Sequence, residues 1–93
     1  MHTRVTRNDD AGRYELYVDG HSVAIADFHV EGDVVVMPHT VVDPAQRGRG
    51  LGEVLVAAAL DDVRSAGRTV VPACWFVAQF LDTHPDYADL RAG

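Results

Sequence analysis

A glycine-rich run, Gln46-Arg47-Gly48-Arg49-Gly50-Leu51-Gly52, divides this chain into two parts of different pattern. Before it lie short stretches rich in β-branched residues; after it comes an apolar segment of helical length. Glycine visits φ > 0 without steric cost and lets other groups approach the backbone closely. A helix that begins at this run turns its unpaired N–H groups and the positive end of its dipole toward the glycines. Such an end is a ready site for phosphate. Arg47 and Arg49 can add charge-assisted hydrogen bonds to phosphate oxygens.

The order of elements follows from local pattern. Residues 1–12 are polar and end in the turn signal Asn8-Asp9-Asp10-Ala11-Gly12. Arg13–Val18 alternates as a strand does, and Asp19-Gly20 is a two-residue hairpin signal. His21–Val30 reads as a second strand, and Glu31-Gly32-Asp33 as another turn. Residues 34–42 read as a third strand interrupted by Pro38, which implies a bulge, an edge or a break. Leu51–Ala66 reads as a helix with Leu51, Leu55, Ala58 and Ala59 on one face. Asp62 falls within that apolar arc and calls for a partner or a frayed last turn. Gly67 is a natural C′ cap. Residues 68–73 form a short strand, parallel to the strand before the loop. Residues 75–81 have helical spacing, with Trp75, Phe76 and Phe80 expected in the core or against a pocket, and Pro85 ends that helix. The tail 88–93 is a short helical turn or loose.

These patterns predict one domain over residues 1–93 with a mixed α/β (α+β) fold: an antiparallel meander continued by a β-α-β-α unit. A single cysteine excludes an internal disulfide and fits a reducing compartment. No leader-like apolar core and no membrane-length apolar run is present, so a cytoplasmic protein with no membrane partner is expected. The formal net charge of −6 argues against nucleic acid and suits an amine or other basic substrate. No Cys/His spacing suggests a metal centre.

Which phosphate loop this is depends on spacing. A Walker loop ends in Gly-Lys-Ser/Thr, and the chain contains no lysine. A dinucleotide fingerprint needs a later third glycine and a distant acidic residue. Arg47-Gly48-Arg49-Gly50-Leu51-Gly52 matches Q/R-x-x-G-x-G/A, and so resembles the pyrophosphate motif of the GNAT superfamily of N-acetyltransferases. His39-Thr40-Val41-Val42, Pro72-x-Cys74-x-Phe76-Val77 and His84-Pro85-Asp86-Tyr87 extend the resemblance to a small single-domain GNAT-like subfamily, over roughly residues 13–90.

The resemblance implies acetyl-coenzyme A as cofactor, bound by the backbone of Thr40, Val41 and Val42 along its pantetheine arm. It places the pyrophosphate on Arg47, Gly48, Arg49, Gly50, Leu51 and Gly52. Larger relatives carry a tyrosine acid on the last helix; here Phe80 and Leu81 fall near its place, and the subfamily carries a cysteine, Cys74, near the helix start. A helix N-terminus favours thiolate, so Cys74 is a candidate nucleophile, while a buried core cysteine is the plain alternative. His39 and His84 are the candidate bases, since imidazole titrates near neutrality. The plainer reading of His84, just before a proline at a helix end, is interaction with the helix dipole. The expected function is acetyl transfer to an amine; the alternative is a non-catalytic coenzyme A-binding sensor or adaptor. The acceptor and the oligomeric state are not legible in the sequence.

Overall fold

The computed structural model of the chain describes residues 2–92. Five strands form one sheet in sequence order: β1 (Thr3–Asn8), β2 (Arg13–Val18), β3 (His21–Glu31), β4 (Val34–Val42) and β5 (Thr69–Val71). The first four pair antiparallel, and β5 pairs parallel with β4. Helix α1 (Leu51–Ser65) makes the crossover, and α2 (Trp75–Thr83) follows β5. This is the mixed fold expected from the sequence. The polar N-terminus contributes a full strand, paired along its length with β2.

The hairpin turns form where the sequence supplies positive φ. Asp19 and Gly20 have φ of 49° and 85°, the combination a two-residue turn between twisted strands requires. Helix α1 packs on one face of the sheet. Its Leu55, Val56, Ala59, Leu60 and Val63 are buried against Leu16, Ala26, Met37 and Val70. Full burial of each large aliphatic side chain contributes about 1.5–3 kcal/mol. The helix ends at Gly67, whose φ of 70° closes the last turn while its N–H donates to the Arg64 carbonyl at 3.0 Å.

Pro38 does not break β4. Asp27 faces His39 and His29 faces Val36, so Met37 and Pro38 together stand opposite Phe28. That is a bulge, which absorbs a residue without a donor and bends its strand. Beyond α2, residues Pro85–Leu90 form a 3-10 helix, and Leu90 is buried. The tail is tied down as well: the Ala92 N–H donates to the Val70 carbonyl at 2.8 Å, along the outer edge of β5.

Asp62 has the partners its position demands. Its Oδ2 accepts hydrogen bonds from Tyr14 Oη at 2.7 Å and Arg7 Nη1 at 2.9 Å, joining α1 to β1 and β2. Burial works against this carboxylate, but the bonds from Arg7 and Tyr14 outweigh it and hold its carboxyl below the usual range. Burial, with the Asp62 hydrogen bond second, pushes the Tyr14 phenol well above its ordinary value. A carboxyl lowered in the folded state stabilises the fold above its unfolded pKa, about 3.9, and loses that contribution as pH falls through the folded value. Asp62→Asn should therefore melt below the wild type at pH 7, and the gap should narrow below about pH 4. A gap equally wide at pH 2.5 and pH 7 would show that the carboxylate's charge is not what matters.

Candidate functional site

The loop after β4 is shaped by short-range hydrogen bonds. Asp43 Oδ1 accepts from the Ala45 N–H at 3.0 Å and starts a 3-10 turn, Pro44–Gln46. Gly48 and Gly50 then take φ of 85° and 71°, conformations in which an L side chain is strained. Gly50 is the residue at which α1 begins, and the first helical bond runs from the Val54 N–H to its carbonyl at 3.2 Å. The N–H groups of Leu51, Gly52 and Glu53 precede that bond and lie at the positive end of the dipole.

Gly52 is fixed by a different constraint. A Cβ added there would sit 2.7 Å from Phe76 Cζ, because the ring of this α2 residue lies on the first turn of α1. Gly52→Ala should cost about 1–3 kcal/mol through this overlap. Combining it with Phe76→Leu should recover part of the loss, read as a coupling in a thermal-denaturation double-mutant cycle. Strict additivity would mean that the contact does not limit position 52.

The second wall arises where β4 and β5 part. Their pairing covers Val34–Val36 against Thr69–Val71. Its last link is the Cys74 N–H, which donates to the Met37 carbonyl at 3.0 Å. Pro72 then turns the chain away, with the Ala73 N–H donating to the Val71 carbonyl at 3.0 Å. A cleft of about 560 Å³ opens between these diverging ends and the glycine loop. Ligand sites usually span roughly 300–1,000 Å³.

Of the residues singled out in the sequence, Thr40, Val42, Arg47, Gly48, Gly50, Leu51, Gly52 and Cys74 all line this cleft. Strand alternation turns His39 and Val41 to the opposite face of the sheet, away from it. There His39 Nδ1 lies 3.3 Å from Asp27 Oδ2, with the imidazole 61% exposed. Arg49 is exposed and lies outside the cleft lining. Cys74 is the residue immediately before α2 rather than a member of its first turn, and it is half-buried. Of the two positions expected for Trp75, core or pocket wall, the structure gives the second: it is 72% exposed and lines the mouth of the cleft, where α2 has just begun.

Arg47 is the one arginine among the described residues that line the cleft. Among the described residues Arg7, Arg13, Arg64 and Arg91 are each paired with carboxylates, whereas Arg47 and Arg49 are in no ion pair. The Thr40 Oγ1 and Gln46 Oε1 atoms are buried beside the cleft without a protein partner. Gln46 and Glu53, absent from the residues selected by motif, also line it. Glu53 had one sequence signal, a carboxylate in the third position of a helix. Among the described residues no cluster of His, Cys, Asp or Glu could hold a metal. No described helix is long and apolar enough to cross a membrane.

The family model described as GCN5-related N-acetyl-transferase matches residues 13–90. The chain belongs to this family of GCN5-related N-acetyltransferases, the GNAT family. Protein NATD1 from Bos taurus is 33% identical over 84 residues, covering 88% of this chain and 74% of the relative. The GNAT fold is shared with a GCN5-like protein from Staphylococcus aureus at a TM-score of 0.74 and 18% identity, over 97% of this chain and 88% of that one. A Mycobacterium tuberculosis protein crystallised in complex with CoA superposes with a TM-score of 0.58 and 20% identity, over 88% of this chain and 73% of that one.

Proposed function

We propose that this GNAT chain binds acetyl-coenzyme A in the cleft and transfers its acetyl group to an amine. The observation that carries the reading is the convergence of three features on one cavity: unpaired N–H groups at the start of α1, an unpaired Arg47, and parted strand ends flanked by Cys74. The CoA complex of the Mycobacterium tuberculosis neighbour supports it by fold. The cleft's chemistry suits the cofactor. Its anion-seeking end faces where a pyrophosphate would lie, and the open ladder of Thr40–Val42 can offer backbone groups to the amides of the pantetheine arm. The buried Thr40 Oγ1 and Gln46 Oε1 lack protein partners on that same wall.

When bound, acetyl-CoA supplies an activated acetyl thioester. The protein's own part is to anchor phosphate on the loop, to hold the arm along β4 and to bring Cys74 beside the acyl end. His39, paired with Asp27, faces the opposite side of the sheet from the cleft, and the geometry gives it no contact with an amine at the Cys74 end. The acidic surface of the chain favours a protonated amine arriving from solvent.

A specific observation keeps the non-catalytic reading in play. The chain has three tyrosines, and their hydroxyls donate to Asp62, Glu15 and Asp61, none of them in the cleft. No tyrosine is therefore poised to protonate a leaving thiolate. Phe80 and Leu81, near the place of that residue in larger relatives, are buried in the core. Turnover of acetyl-CoA across a panel of amines and peptides separates the readings; tight binding with no turnover favours a sensor or adaptor.

Two variants test the site itself. Hydrogen bonds to charged groups contribute about 1.5–3 kcal/mol, less when exposed, so Arg47→Ala should weaken CoA binding about tenfold in calorimetry. Unchanged affinity would remove Arg47 from the site. A substitution at Gly50 is a poorer probe, because its positive φ would strain the start of α1 as well. If Cys74 is the acyl acceptor, incubation with acetyl-CoA should give a single acetyl adduct by intact mass, absent in Cys74→Ser. A Cys74→Ser protein that binds and turns over as wild type would leave the cysteine only a wall residue.

A further inference from the structure

We infer that Glu53 is an internal counter-anion that competes with the phosphates of CoA for the start of α1 and moves aside into a neighbouring pocket when they bind. This inference rests on the cofactor reading above. Glu53 Oε2 lies 3.9 Å from the position a Cβ on Gly50 would occupy, so the carboxylate folds back over the beginning of its own helix. Glu53 is exposed, and among the described residues it has no hydrogen-bond or ion-pair partner. An anion at that end of a helix is favoured by the dipole in the free protein. The same placement sets a negative charge against any pyrophosphate on the loop N–H groups. Two unit charges about 5 Å apart repel by roughly 1–3 kcal/mol for an effective dielectric between those of water and a protein surface.

The structure also provides a place for the displaced carboxylate. A second pocket of about 160 Å³ adjoins the cleft, and Glu53 and Phe76 line both. Its remaining walls are Gln79, Phe80, Thr83 and His84. His84 stacks on Phe80, with ring centroids 3.8 Å apart and planes 8° from parallel. Its Nδ1 lies 2.8 Å from the Phe80 carbonyl and 3.0 Å from Thr83 Oγ1, so Nδ1 is engaged by its own helix and Nε2 is the ring nitrogen left for another partner. The Gln79 amide is a neutral donor in the same pocket. Glu53 thus has two stations, one over the phosphate cradle and one beside Gln79 and His84. The device keeps the cradle neutralised when empty and speeds release of spent CoA.

Titration calorimetry with CoA on wild type, Glu53→Gln and Glu53→Ala tests the competition. Both variants should bind about three- to tenfold more tightly, chiefly through slower dissociation. Equal or weaker binding would overturn the proposal. The second station is read by NMR at the His84 ring. CoA should shift the ring signals in the wild type but leave them nearly unmoved in Glu53→Ala. A shift that persists in Glu53→Ala would mean that CoA itself touches His84, and would overturn the displacement. Wild type that fails to bind CoA at all would end the cofactor reading and this inference together, whereas normal binding without tightening in the variants ends this inference alone.

Discussion

Parallel pairing between β4 and β5 lasts only three residues on each strand, and the Cys74 N–H to the Met37 carbonyl is its final link. Everything about the site follows from where that pairing stops. Pro38 can donate to neither neighbour, and the bulge it occupies bends β4 as Pro72 turns β5. Backbone groups on Thr40–Val42 are then left facing a cavity instead of a fifth strand. The helix start at Gly50 closes the same cavity from its other side. Had the parallel ladder continued, those groups would be satisfied by protein and no open strand edge would line the cleft.

The two helices hold this opening at a fixed width. Phe76 lies on the first turn of α1 at a distance only glycine permits, so α2 cannot shift without moving the loop. Asp62, at the far end of α1, is bound to Arg7 and Tyr14 from the first two strands. Arg64, two residues on and on the other side of the helix, grips the 3-10 segment through paired bonds to Asp89 at 2.8 and 2.9 Å. A chain this short buries a small core. Side-chain bonds that tie α1 to both chain ends therefore carry unusual weight in keeping the loop rigid.

Much of this was legible because it depends on local chemistry. Asp19-Gly20 gave the hairpin, Gly67 the helix end, and the apolar spacing of Leu51, Leu55 and Ala59 the buried face. The glycine motif, together with its flanking motifs, indicated the family. What was not legible depends on long-range contact. Gly52 looked like a ligand-facing glycine, yet its nearest constraint is Phe76, twenty-four positions away. Residue type alone could not choose between core and pocket wall for Trp75, because the side chain of a residue at a helix start follows the helix axis, and here that leads to the exposed mouth of the cleft. His39 and Thr40 were grouped as one motif, although strand alternation sends their side chains to opposite faces.

That alternation gives the sheet its two chemical sides. Both helices lie on one face, and the other is uncovered. Antiparallel sheets commonly tolerate water on one face, but parallel pairs are usually covered on both. Here the short parallel pair leaves Val71 partly exposed, with Val41 further along β4 also exposed on the side of the His39–Asp27 pair. The end of the β4–β5 ladder is therefore approachable from both directions: from the loop side through the cleft, and from the open side past His39. Arg47 and the helix end make the first approach the more positive one, whereas Asp27 adds negative charge to the second. Under the proposed function, two ligands of opposite charge would meet at one strand end without sharing an entrance.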